Sequence, residues 1–263
     1  MDSQEQKTPQ AQQVQRSSGQ EAAPRAARRA LAEAIPRVLR ALELPALLAV
    51  PVVMVATAAA GIDATAGLTL AVALLAVGLL FANFEAQRPP LRQIMPTAVL
   101  AATAAAGRVL FAPIPDVKPV SAIAIVAGAA LGRRSGFVVG AVAALVSNFF
   151  FGQGSWTPWQ MYAWGLVGYL GGVLADHGAL ERRWALYAWG FVSALMYGAI
   201  LNGYYALGFV RPLTWPAIIA AYAAGAPLDV VHGVATAGFL AVIWLPWGRA
   251  IRRVVAKYDL SAR

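Results

Sequence analysis

Within the single stretch 148–160 the chain gathers Asn148, Gln153, Trp156, Trp159 and Gln160, with Trp164 one turn further on. Asn202, Tyr204, Asp229 and His232 follow at the ends of two later apolar runs, and Arg108, Asp116 and Lys118 flank the segment FAPIPDVKP. Amides, indoles, a phenol, an imidazole and one carboxylate set among apolar residues can hold a planar or bulky polar solute by hydrogen bonds and stacking. Asp229 and His232 are three residues apart, which puts them on one face of a helix. Bond-making chemistry is poorly supplied. The chain has no cysteine and only 2 histidines, and it lacks both an H-E-x-x-H pair and two carboxylates within one apolar run. Thiolate nucleophiles are therefore excluded, a metal hydrolase is not expected, and neither is any catalytic residue, metal ligand or cofactor. Lys7, Lys118 and Lys257 all lack the glycine-rich context of a phosphate-binding loop, so ATP hydrolysis by that route is excluded too.

Each residue also has a plainer reading. Tryptophan and tyrosine collect at membrane interfaces without binding anything. Asp229, just after Pro227, would complement the positive end of a helix starting there. His232 would be a satisfied core histidine, and Asn148 and Asn202 would tie helices together for about 0.6 kcal/mol each. Their joint placement is the stronger signal, because polar groups inside a membrane segment usually line a cavity or a path.

The elements that must position them are apolar helices. The 263 residues are 59% hydrophobic and 13% charged, with a mean hydropathy of +0.61; a soluble domain would carry about a quarter charged residues. Apolar stretches run at 43–60, 65–84, 94–111, 119–132, 136–151, 159–175, 185–207 and 228–246. Several approach the roughly 20 residues that a membrane-crossing helix needs, while 119–132 is short for one. Residues 215–226 predict a short interfacial helix ending before Pro227. The expected fold is all-α, an integral membrane helical bundle. Before it lies a tail over 1–40, disordered at first and amphipathic from about residue 25, with no apolar core of a cleavable secretory signal in its first 20 residues. A basic tail over 251–263 follows the bundle.

The net charge of +9 reflects orientation. With eight spans and both termini cytoplasmic, only Arg108, Lys118 and Arg211 of the 21 basic residues fall outside. The basic residues flank apolar runs and form no stripe with interleaved aromatics, so no nucleic-acid partner is expected. Small residues recur every fourth position at Ala98, Ala102 and Ala106, at Gly128, Gly132, Gly136 and Gly140, and at Gly168 and Gly172. Such spacing lets helices approach closely. The alanine face would equally suit a partner.

The run PIPDVKPVSAIAIVAGAALGRRSGFVVGAVAALVSNFFFGQGSWTPWQMYAWGLVGYLGGVL (113–174) and the ending GAPLDVVHGVATAGFLAVIWLPWGRAIRRV resemble the substrate-binding S component of energy-coupling factor (ECF) vitamin transporters. The resemblance covers about residues 93 to 255. It implies a six-helix core over 93–250 that takes a vitamin or vitamin precursor from outside and delivers it through a transmembrane coupling subunit and two cytoplasmic ATPases. It implies a multi-pass protein of the cell membrane. The apolar pair within 41–86 lies outside that core. The coupling contact would fall on Ala98, Ala102 and Ala106, and the ligand site would be roofed by 112–118 and 152–157. The WTPWQM block most resembles S components assigned to cobalamin, with riboflavin and other heterocycles open. Two rival expectations are an intramembrane hydrolase using Ser155 with His232, and a structural membrane scaffold.

Overall fold

The computed structural model describes residues 41–62, 65–85 and 91–257. The tail expected over 1–40 and residues 258–263 of the basic C-terminal segment lie outside the described residues. Among those described, every regular element is helical: α1 (Ala41–Ala59), α2 (Thr65–Glu85), α3 (Leu91–Leu110), α4 (Val120–Leu131), α5 (Arg133–Phe151), α6 (Trp156–Asp176), α7 (Arg183–Phe209) and α8 (Trp215–Lys257). A single 3-10 turn, Ala179–Glu181, links α6 to α7. The expected all-α membrane bundle is thus the fold. The chain divides into residues 1–48, of which only the first turns of α1 are described, and residues 49–263, to which everything below refers.

Helices α1, α5, α7 and α8 are long and apolar enough to cross a bilayer. Helix α4, with 12 residues, covers only about 18 Å of a hydrocarbon core about 30 Å thick. It starts directly after Pro119, whose fixed φ suits the first turn of a helix. It stops at Gly132, where φ is +93°, a backbone region that costs glycine little and other residues more. Gly132, grouped by spacing with Gly128, Gly136 and Gly140, is therefore the turn between α4 and α5, and a Cβ there would meet nothing. Its three companions do pack helices. A Cβ on Gly128 or Gly136 would collide with the backbone at Gly168, and one on Gly140 with the Trp164 carbonyl. Helix α6 thereby lies backbone-close against α4 and α5. At the end of the bundle away from the loops at 111–119 and 152–155, Arg133 and Asp176 pair at 3.7 Å, both about half exposed.

Residues 215–226 do not form a separate interfacial helix. They are the start of α8, which continues for 43 residues with Pro227 and Pro246 inside it. Each proline removes one backbone hydrogen bond, a loss that a neighbouring helix makes tolerable in an apolar setting. That neighbour is α7, which runs antiparallel beside α8: Tyr222 donates its hydroxyl to the Ala199 carbonyl at 2.8 Å, and Gly190 lies against Ala237 and Leu240. Residues 251–257 of the expected basic tail belong to the same helix.

Candidate functional site

Arg108, on the last turn of α3, is 6% exposed although it is a cation in an apolar helix. Its guanidinium lies 4.7 Å from the Phe151 ring centre and 4.8 Å from that of Trp164. Nη1 donates to Ser147 Oγ at 2.6 Å and to Asn148 Oδ1 at 2.7 Å. The chain of donors continues into α6. Asn148 Nδ2 donates to Thr157 Oγ1 at 3.0 Å and to Gln160 Oε1 at 2.8 Å. Thr157 in turn donates to Gln153 Oε1 at 2.9 Å. Both polar atoms of the buried Asn148 amide are thus satisfied, as a group taken out of water requires. Arg108 Nε is the exception: it is buried and unpartnered.

A second chain leaves the other side of Trp164. Its indole N–H donates to Ser121 Oγ at 3.1 Å, and Ser121 Oγ meets His232 Nε2 at 3.0 Å. Trp164 also stacks on Tyr197 of α7, with ring centres 4.5 Å apart, and Tyr197 meets the His232 ring edge-on at 5.2 Å. Five helices, α3, α4, α5, α6 and α7, with α8 through His232, therefore converge on one aromatic and polar centre. Beside it, Trp159 lies 5.5 Å from Tyr204. The Tyr204 hydroxyl bonds Ser155, whose side chain leaves its own helix uncapped. The stretches 148–160 and 197–209 accordingly meet at the same end of the bundle.

Among the expected site residues, Asn148, Gln160, Trp164 and His232 belong to this centre, and Trp159 and Tyr204 adjoin it. Gln153 is exposed and reaches it only through Thr157, while its Nε2 donates to the Leu145 carbonyl at 3.0 Å. Trp156 is 40% exposed and covers Gly154. Asn202 and Asp229 form a separate pair, with Asn202 Nδ2 donating to Asp229 Oδ2 at 2.9 Å. Because Asp229 lies inside α8, it does not cap the start of a helix. Although it shares a face with His232 by spacing, the two turn to different partners.

Arg108, Ser121, Ser147, Thr157 and Tyr197 belong to the centre without having been singled out as binding residues. Arg108 had a signal, since a charge within an apolar helix marks function. The Ser121–His232 contact spans 111 residues and leaves no local trace. Ala98, Ala102 and Ala106 are all exposed on α3, beside Met95, Val99 and Leu110. Among the described residues, open clefts also lie away from this centre. One, of about 280 Å³, is at the opposite end among Ala130, Ala175, Glu181, Trp244 and Arg252. Another, of about 220 Å³, is apolar and lies between α1, α7 and α8, beside Met54, Gly203 and Tyr222.

The model of a family described as "ECF-type riboflavin transporter, S component" matches residues 90–253. The match takes in α3 to α7 and all but the end of α8, and so the whole polar centre, and leaves out α1 and α2. No curated protein and no solved structure matches the chain.

Proposed function

The chain belongs to the ECF-type riboflavin transporter S-component family, and from that premise we propose that its polar centre captures a planar heterocyclic vitamin, riboflavin being the best candidate. The observation that carries the reading is the buried polar and aromatic centre around Trp164, where Trp164 stacks on Tyr197, the amides of Asn148 and Gln160 bond each other, and Arg108 keeps a spare Nε–H. Flat rings suit stacking, and ring carbonyls suit the donors. The sequence pointed first to cobalamin. The family description favours the flavin.

In this reading the loops at 111–119 and 152–155 face outside and both termini lie in the cytoplasm, in keeping with the distribution of basic residues. The protein resides in the cell membrane, binds ligand without transforming it, and relies on a coupling subunit and two ATPases for energy. The exposed Ala98, Ala102 and Ala106 form the surface for the coupling subunit, since small side chains let a partner helix come close. Ser155 and His232 do not pair as a nucleophile and base would: the serine bonds Tyr204 and the histidine bonds Ser121.

The test is a titration of the purified full-length chain with riboflavin, followed by quenching of flavin and tryptophan fluorescence. Saturable quenching is expected, weakened about tenfold by Asn148→Ala, which removes three side-chain hydrogen bonds of the network. Saturable binding of cobalamin with none of riboflavin would overturn the ligand assignment. Unchanged affinity in Asn148→Ala would overturn the site.

A further inference from the structure

Helices α1 and α2 lie outside the residues that the family model covers, yet one of them holds a tryptophan that adjoins the polar centre. Thr69 of α2 accepts the indole N–H of Trp159 at 3.0 Å. Trp159 is 1% exposed, so this bond satisfies a donor that water does not reach. One turn earlier, Thr65 donates its hydroxyl to the Leu207 carbonyl of α7 at 3.0 Å. Residues four apart share a helix face, so a single face of α2 grips α6 and α7 together. The two helices it grips are those that supply the Trp159–Tyr204 ring pair, 5.5 Å between centres.

We propose that α2 is part of the binding site, with Thr69 a positioning residue that sets the plane of Trp159 for the ligand. This rests on the reading of the polar centre as a capture site. A tryptophan held at its N–H keeps its ring in one orientation. Without the acceptor, a buried N–H is left unpaired and the ring shifts toward another partner, and affinity falls. The six matched helices alone would leave that donor to find another partner.

The experiment compares riboflavin affinity across variants of the full-length chain. Thr69→Val keeps the side-chain shape and removes the acceptor; it is expected to weaken binding about fivefold, the worth of one hydrogen bond. Thr69→Ser restores the acceptor and is expected to bind within about twofold of the unaltered chain. In a Trp159→Phe background, Thr69→Val is expected to change nothing, because the donor is already gone. A general structural role for α2 predicts additive losses and no rescue by serine, and either result overturns the proposal, as does full affinity in Thr69→Val. Should Thr69→Val not yield folded protein, Trp159→Phe alone must weaken binding, and full affinity there overturns it equally. Failure of the unaltered chain to bind riboflavin would instead strike the capture reading itself.

Discussion

The two ends of the bundle use polar residues in opposite ways. At the end bearing the loops 111–119 and 152–155, one cation is buried, and around it Ser147, Asn148, Thr157 and Gln160 pass hydrogen bonds from helix to helix. At the other end, Arg133 and Asp176 meet about half exposed, and Glu181 and Arg252 line an open cleft. Formal charge is denser at the second end, but commitment is greater at the first. A buried donor left without its acceptor loses far more than a solvated ion pair that is broken. Depth, and not the number of charged groups, separates a site from a surface.

Substitutions can break or sharpen that contrast. The largest effect is expected for Arg108→Met, which takes the donor from Asn148 Oδ1 and Ser147 Oγ and removes the spare Nε–H: riboflavin affinity should fall about a hundredfold, with a lower melting temperature in detergent, since a hydrogen bond to a charged group is worth about 1.5–3 kcal/mol. Near-normal affinity would mean that the cation serves packing alone. Ala102→Trp, on the exposed face of α3, should abolish uptake in cells while leaving affinity within about twofold; joint loss of uptake and binding would return that face to internal packing. The smallest effect is expected for Asp176→Asn, which should shift stability by no more than about 0.5 kcal/mol, measured by thermal melting. A larger change would erase the distinction between the ends.

Much of this architecture can be read from local pattern. The apolar stretches at 65–84, 136–151 and 185–207 differ by at most three residues at either end from α2, α5 and α7, because apolar length is a property of the segment itself. Pro227 misled for the complementary reason. Its stop signal is local, whereas the support that keeps α8 continuous comes from α7, through contacts such as Tyr222 with Ala199. The site divides along the same line. Asn148 and Gln160 announce themselves as amides in a greasy context. Asp229 and His232 look like a pair by spacing and part company only because Asn202 claims the first and Ser121 the second. Nor does composition reveal that Thr69, an unremarked threonine in an apolar run, serves a tryptophan 90 residues away.

The uninterrupted α8 has a mechanical corollary. Its antiparallel register against α7 places Gly190 beside Ala237, so the residues beyond about 244 run past the start of α7 for some 20 Å. That overhang carries Arg249, Arg252, Arg253 and Lys257. In the proposed orientation it is a cationic spur planted among anionic headgroups, each basic residue there contributing about 1 kcal/mol.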